Sequence, residues 1–242
     1  MVMTLRAKSR YPVATGRRPV RAASLASRSD WRRDVRTKVI YSGTDLGKRM
    51  HAVFSPGEVF SNRGSDARHS LITRYLRGLS DAEQRRWVAG HLLNADFGGP
   101  GDQAKNITPL TASANHTHLH YENIVRRNQD ILRHYFSNAF VIAYGTHAIR
   151  QTYTVTLSGT PGLLAGAPNW LQIDIGFETC RKSGDAWRIW TRASHWDIHS
   201  VESNNSRAIR TRRASYLPGT SLYYDLSLLQ SVTHKRIPNT HS

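Results

Sequence analysis

The sequence predicts an α+β protein with an antiparallel sheet and one long helix. Short runs with the alternating pattern of strands lie on both sides of one long stretch whose apolar residues recur at helical intervals. Glycine-containing turns separate the later runs, which fits antiparallel strands better than alternating strand and helix units. The 242 residues are enough for one sizeable core.

Two strand-like runs at the start of the predicted domain are expected to pair as a hairpin. They are residues 36–43, RTKVIYSG, and residues 49–60, RMHAVFSPGEVF. The Pro56-Gly57 turn interrupts the second run.

A shorter helix is predicted over residues 68–88. Ser80 is a plausible N-cap, and Glu83 three residues later completes a capping box. The following KNITPL segment is predicted to be extended, because the residue before Pro109 is biased away from helix.

The longest predicted helix begins with Thr111 or Ser113 as its cap and ends near Phe136. Its apolar residues recur at roughly helical intervals: Leu119, Ile124, Val125, Ile131, Leu132 and Phe136. Four strand-like segments follow it: AFVIAYGTHAI, QTYTVTLSG, WLQIDIGFETCR and AWRIWTRAS. These segments would form the antiparallel sheet.

The two ends of the chain differ from its middle. Residues 1–36 are rich in Arg, Ser and Ala and carry no acid before Asp30, with too few apolar groups to offset the entropy of ordering. They are expected to form a flexible basic arm, although an organelle-targeting peptide has the same composition. The folded domain is predicted over 37–202, and 203–242 form a polar basic extension.

Net charge limits the class of partner. The chain carries 34 Lys and Arg against 17 Asp and Glu, a formal charge of +17, which attracts nucleic acid, an anionic membrane surface or an acidic protein. Cys180 is the only cysteine, so there is no intrachain disulfide and no second thiolate for a zinc site. The sequence has no apolar run of membrane-spanning length.

Polar residues in the central window, residues 88–127, predict a reactive site. Asn115, Leu119, Glu122 and Arg126 lie at helical spacing and share one face of the long helix. If His91 ends a strand opposite that face, an imidazole base faces oxygen ligands, as metal-assisted phosphodiester hydrolysis requires. Magnesium suits such a site because it needs only one or two protein oxygens.

The same window resembles a known family. The order GHLLN, GGPG, NITP, a second Asn nine residues after the first, and then Glu and Arg four apart is similar to the DNA/RNA non-specific endonucleases. These are the ββα-metal nucleases, and this version resembles nuclease domains of bacterial polymorphic toxins. The resemblance covers about Val88 to Arg127 and implies an α+β fold with a ββα-metal nuclease core.

The resemblance implies a role for each matching residue. His91 would act as the general base, Asn106 would brace the loop, and Asn115 would hold a divalent cation, Mg²⁺ or Mn²⁺. Glu122 would hold metal-bound water. Arg126 would steady negative charge at the phosphate.

The chain departs from the family pattern in two places. Many members carry Asp-Arg immediately before Gly-His, where this chain has Val88-Ala89, so another arginine must take that part. Arg127 is the neighbour that could replace Arg126. The interval between Asn115 and Glu122 is also one residue shorter than the corresponding interval in the family.

The implied activity is non-specific, metal-dependent endonuclease cleavage of DNA and/or RNA, by a bacterial toxin effector. Such a protein would be secreted or delivered into a target cell without a classical signal peptide, or otherwise be cytoplasmic, and would pair with an acidic immunity protein. The alternative is a catalytically impaired, basic nucleic-acid-binding protein of the same fold.

Other polar residues in the window have two interpretations each. His116, His118 and His120 suggest zinc, but residues two apart on a helix diverge by about 200°, which disfavours one shared ion. His118 or His120 would lie near the site if the helix begins later. Asp96 and Asp102 are either turn caps or metal ligands.

Overall fold

The fold is α+β, with antiparallel sheets and one long helix. The computed structural model describes residues 38–43, 45–56, 60, 64–78, 87–136, 146–159, 167–183, 186–192, 201, 203–205, 207 and 226–240. The predicted N-terminal arm, residues 1–36, lies outside these residues. None of the described helices is both long and apolar enough to cross a membrane.

The strands are β1 Lys38–Ser42, β2 Arg49–Phe54, β3 Trp87–His91, β4 Ile107–Thr111, β5 His147–Leu157, β6 Trp170–Ser183, β7 Ala186–Arg192 and β8 Val232–Pro238. The helices are α1 Ser70–Arg77 and α2 Ala112–Phe136. Six strands form one antiparallel sheet in the order β1-β2-β5-β6-β7, with β8 also paired to β6. Strands β3 and β4 form a separate antiparallel pair.

The first two strands pair as the sequence predicted. β1 and β2 are antiparallel neighbours, with Val39 opposite Ala52. β2 then pairs with β5, where Ala52 lies opposite Tyr153. The hairpin prediction is confirmed, and the hairpin lies at one edge of the large sheet.

The C-terminal region, predicted as a polar basic extension over 203–242, contributes one strand, Val232–Pro238, to the large sheet. β8 pairs with the first half of β6, and Ile237, only 2% exposed, lies opposite Leu171. The sequence VTHKRIP gives a weak alternating signal because most of its side chains are exposed. Backbone hydrogen bonding to β6, and not an apolar pattern, holds residues 232–238 in the strand conformation.

β3, β4 and α2 follow one another as a ββα unit. The predicted extended segment is β4, and the predicted long helix is α2, so both predictions are confirmed. The Thr111 hydroxyl accepts a hydrogen bond of 3.1 Å from the Ala114 N–H, which caps the first turn. His91 ends β3 and lies opposite Ile107 at the start of β4.

The predicted helix over 68–88 is only partly correct. α1 runs from Ser70 to Arg77, and the His69 ring accepts a hydrogen bond of 3.2 Å from the Leu71 N–H at its start. Trp87 and Val88 are instead strand residues paired with β4, because cross-strand pairing outweighs their helical pattern. The predicted capping pair Ser80 and Glu83 lies outside the described residues.

The main core lies between α2 and one face of the large sheet. Along β5, buried residues alternate with half-buried threonines, so every second side chain faces the helix. The core includes Tyr153 and Val155 of β5 and Val125 of α2, each fully buried. Leu119, predicted as part of the apolar face, is instead 42% exposed.

Two glycines shape the bend between β3 and β4. Gly98 has a φ of 84°, a left-handed conformation that residues with a Cβ adopt at a cost. A Cβ on Gly99 would lie 1.7 Å from the Leu93 carbonyl oxygen, closer than two such atoms can approach. The Gly-Gly pair therefore lets the backbone fold tightly onto itself.

Replacing Gly99 by Ala is expected to lower the free energy of unfolding by about 1–3 kcal/mol, because the new methyl group meets fixed backbone. Gly78→Ala is the matched control, because Gly78 has a φ of −76° and a Cβ there would lie 3.4 Å from the Tyr75 carbonyl oxygen, an ordinary contact. That change should be neutral or stabilising by up to about 1 kcal/mol. Urea unfolding of both variants measures the difference, and equal effects would contradict the close-approach argument.

Candidate active site

His91 is held by a backbone carbonyl. Its Nε2 atom lies 2.8 Å from the Ser65 carbonyl oxygen. A carbonyl oxygen can only accept, so Nε2 carries the proton and donates. In the neutral ring the lone pair is then on Nδ1, and His91 can accept a proton at that atom.

The segment that supplies this carbonyl lies against the glycine-rich bend. The Gly101 N–H donates to the Ser65 hydroxyl at 2.8 Å, and the Arg68 N–H donates to the Gly101 carbonyl at 3.0 Å. Gly64 donates to the Ala95 carbonyl at 3.1 Å. Residue order does not predict this contact, because a backbone carbonyl is the same in every residue type.

Asn106 closes the loop that joins β3 to β4. Its side-chain oxygen accepts a hydrogen bond of 2.8 Å from the Leu93 N–H, and its Nδ2 donates to the carbonyls of Leu93 and Pro100 at 3.0 and 3.2 Å. The residue is fully buried. Both ends of the amide are engaged with backbone, so Asn106 holds the loop and is not directed at a substrate.

Glu122 is a buried carboxyl group. It is 4% exposed, and its Oε2 accepts a hydrogen bond of 2.8 Å from Asn94 Nδ2. Burial raises the pKa of Glu122 to about 7, although the Asn94 hydrogen bond and the charge of nearby His91 act in the opposite direction. The helix therefore carries a carboxyl group that exchanges its proton near neutral pH.

His118 and Tyr153 form a buried pair beside Glu122. His118 Nε2 lies 2.5 Å from the Tyr153 hydroxyl and 4.0 Å from Glu122 Oε1. Burial lowers the pKa of His118 to about 4, with His91 contributing, and burial raises the pKa of Tyr153 well above its ordinary value. Both side chains are therefore uncharged at neutral pH.

The three histidines diverge as helical geometry requires. His118 is buried, whereas His116 and His120 are exposed. His118 nevertheless lies beside Glu122, although α2 begins at Ala112 and not later. Proximity of His118 to the site therefore does not need the later helix start on which it was predicted.

Asp96 links the bend to the helix. Its carboxylate forms an ion pair of 2.7 Å with Arg126, and both side chains are nearly half exposed. The Arg126 guanidinium also lies 5.5 Å from the centre of the Phe97 ring. The ion pair with Arg126 is a contact of Asp96 that the sequence did not predict.

Asn115 lies in the first turn of α2 and is exposed. By helical spacing it lies two turns before Glu122 on the same side of the helix. Its amide oxygen is thus open to solvent, whereas the Glu122 carboxyl is buried. The face of α2 that was predicted to carry the site therefore has an exposed amide at Asn115 and a buried carboxyl group at Glu122.

Two oxygen-bearing side chains of α2 are candidates for a divalent cation, but their seven-residue separation corresponds to about 10 Å along the helix axis. One carboxylate and one exposed amide are oxygen ligands of the kind Mg²⁺ uses while keeping most of its water. Within the described part of the chain, no three His, Cys, Asp or Glu side chains are grouped closely enough to hold a metal ion together. Asn115 is the residue that would hold a cation directly, and Glu122 would reach it through bound water.

The chain matches no protein-family model and no curated protein. Among solved structures it is similar to one described as an extracellular endonuclease, with 16% sequence identity and a TM-score of 0.35. That similarity covers 66% of this chain and 71% of the other. Similarity at this level establishes neither a shared fold nor a shared activity, so the case for a function rests on the residues themselves.

Sequence reasoning missed three side chains at the site: Asn94, His118 as a partner of Glu122, and Tyr153. A signal existed for Tyr153, because it falls on the inward phase of QTYTVTLSG and a buried tyrosine hydroxyl usually has a polar partner. Asn94 ends the GHLLN motif, but the motif does not indicate its partner. Its contact with Glu122 joins residues 28 positions apart, which only the folded chain brings together.

Glu122→Gln is expected to stabilise the metal-free protein at pH 8. The folded-state pKa is raised to about 7 from 4.5, so the acid makes the folded state less stable as pH rises through this window. Glutamine keeps an acceptor for Asn94 and carries no charge. The gain should be roughly 1–3 kcal/mol at pH 8 and smaller at pH 5.

Urea unfolding with a chelator present, at both pH values, measures this gain. Glu178→Gln is the control, because Glu178 is paired with Arg150 at 2.6 Å and its neutralisation should bring no gain. Identical stability of Glu122→Gln and the unchanged protein at pH 8 would show that burial of the Glu122 charge carries no penalty.

Proposed function

We propose that this protein is a metal-dependent nuclease that hydrolyses phosphodiester bonds in DNA and/or RNA. One observation carries the proposal: the Ser65 carbonyl holds His91 Nε2–H, which leaves the Nδ1 lone pair of the neutral ring available to accept a proton. The charge of His91 also lowers the pKa of the buried acid Glu122, so the two groups interact, and a general base with an acidic group nearby suits phosphodiester hydrolysis.

In the proposed reaction His91 Nδ1 removes a proton from a water molecule. The water oxygen attacks phosphorus, the bond to the 3′ oxygen breaks, and that oxygen takes a proton from solvent. The products are a 5′ phosphate and a 3′ hydroxyl. A bound Mg²⁺ or Mn²⁺ would polarise a non-bridging phosphate oxygen and offset charge on the leaving oxygen.

The Arg126 guanidinium is proposed to bind the phosphate group of the substrate and stabilise its negative charge. Its ion pair with Asp96 fixes one side of the guanidinium, and its side chain remains 46% exposed, so other N–H groups can reach a substrate. Arg127, the next residue, is exposed on the same helix and is the substitute. Either would replace the arginine that is absent at Val88-Ala89.

Substrate binding would rest on charge. A net charge of +17 attracts the phosphate backbone, and contacts with phosphate carry no base code. Cleavage should therefore show little sequence preference and should weaken steeply with salt. The same charge would suit an acidic immunity protein, if the nuclease is a toxin effector delivered into a target cell.

His91→Ala is expected to reduce cleavage of plasmid DNA and of RNA by a factor of about 10²–10⁴, because the general base is removed. His134→Ala, an exposed histidine at the far end of α2, is the matched control and should cleave normally. Reactions with magnesium and with chelator complete the assay. Undiminished cleavage by His91→Ala would defeat the mechanism, and salt-sensitive binding without cleavage by the unchanged protein would favour the binding-protein alternative.

Asn115→Ala is expected to raise the magnesium concentration needed for half-maximal cleavage by roughly tenfold or more, because it removes a proposed ligand. Asn123→Ala changes another exposed amide two turns later on α2 and should leave the magnesium dependence unchanged. A magnesium titration of initial rates compares the two. If both variants respond like the unchanged protein, Asn115 does not hold the cation.

A further inference from the structure

Two polar side chains meet inside the apolar core between β5 and α2. Tyr153 is fully buried near the middle of β5, and His118 is 2% exposed on α2. The Tyr153 hydroxyl and His118 Nε2 are 2.5 Å apart. The surrounding core is apolar and includes Val125 and Val155.

A core that needed only to be filled would not require this pair. A phenylalanine has nearly the same shape as a tyrosine, and each buried polar group must recover by hydrogen bonding what it loses in desolvation. The hydroxyl and the imidazole satisfy each other at this point. Their location is informative, because it is the point where α2 presents its buried acid.

The pair lies on one side of the Glu122 carboxyl group. His118 precedes Glu122 by one helical turn, and its Nε2 is 4.0 Å from Oε1. On the other side, Asn94 Nδ2 donates to Oε2 at 2.8 Å, and Asn94 is itself fixed by accepting the Asp96 N–H at 3.0 Å. The carboxyl group is therefore bracketed by the core on one oxygen and by the bend on the other.

We propose that Tyr153 and His118 are positioning residues that hold the Glu122 carboxyl group in the orientation that binds the divalent cation or its water. Tyr153 fixes the ring of His118, and the ring limits rotation of the Glu122 side chain toward the core. This inference rests on the proposed function. Neither residue touches the substrate.

Tyr153→Phe tests the inference with the least disturbance, because it removes only one hydroxyl oxygen. Binding of Mn²⁺, followed by electron paramagnetic resonance, should weaken by about tenfold, as is common when a supporting residue behind a metal ligand is removed. The rate of cleavage at limiting Mg²⁺ should fall by a similar factor. The KM for nucleic acid at saturating Mg²⁺ should stay within about twofold.

Tyr135→Phe is the matched control. Tyr135 is a tyrosine of α2 that is 2% exposed and lies in the separate core cluster around Ile149 and Phe177. Removal of its hydroxyl should leave Mn²⁺ binding unchanged, although it alters the same helix. A melting curve of each variant shows whether loss of binding accompanies loss of fold.

His118→Gln and the double variant His118→Gln with Tyr153→Phe test whether the pair acts as a unit. If it does, the double variant binds Mn²⁺ no more weakly than the poorer single variant, because the effects of coupled residues do not add. Additive losses would overturn the coupling between Tyr153 and His118. Should His118→Gln fail to fold, the comparison of Tyr153→Phe with Tyr135→Phe decides alone.

The outcomes separate the two proposals. Normal Mn²⁺ binding and normal cleavage by Tyr153→Phe would overturn the positioning role and leave the nuclease assignment intact. An unchanged protein that neither binds Mn²⁺ nor cleaves nucleic acid would overturn the nuclease assignment and the positioning role together. Equal weakening by Tyr153→Phe and Tyr135→Phe would identify a general effect on α2 and also overturn the positioning role.

Discussion

The candidate site depends on the hydrogen bonds of one buried amide. Asn106 holds Leu93 and Pro100 through its side chain, and its own carbonyl accepts the Leu92 N–H at 2.7 Å. These bonds set where the loop leaves β3 and where β4 begins. His91, the residue just before Leu92, is thereby fixed at the end of its strand. An amide is suited to this task because it donates and accepts at once.

A series of polar side chains extends from the large sheet to the bend between β3 and β4. It begins at Tyr153 in β5, passes through His118 and Glu122 on α2, and reaches Asn94 in the loop. Buried polar groups of this kind are costly unless each has a partner, and here neighbouring elements supply the partners. Asn94 and His118 flank the Glu122 carboxyl group, and Tyr153 contacts it only through His118. Residues of the loop, of α2 and of β5 thus surround this carboxyl group.

The buried Glu122 carboxyl group lowers the stability of the folded protein as pH rises through neutrality. A carboxyl group whose pKa is raised to about 7 by burial destabilises the folded protein when it is charged, and a divalent cation would supply the compensating charge. Such local costs are common at functional sites. Close packing of the glycine bend and of the ββα unit offsets this loss of stability.

The sequence determined the class of fold, most of the strands, the long helix and the identity of the residues around His91. Period-two and helical patterns are local, and the Gly-His, Asn and Glu spacing is local too, so these features can be read from residue order. The predicted helix extends to residue 88 because the local pattern of Trp87 and Val88 fits a helix. In the fold these two residues pair with β4. β8 was missed because most of its side chains are exposed.

Only the tertiary structure decided which nitrogen of His91 is free, which residues flank Glu122 and which partner Asp96 takes. Each of these is set by a contact between residues far apart in the chain: Ser65 with His91, Asn94 with Glu122, and Asp96 with Arg126. A backbone carbonyl has no residue signature, and a buried pKa depends on neighbours from other elements. Residue order specifies the chemical groups, and packing specifies their protonation and direction.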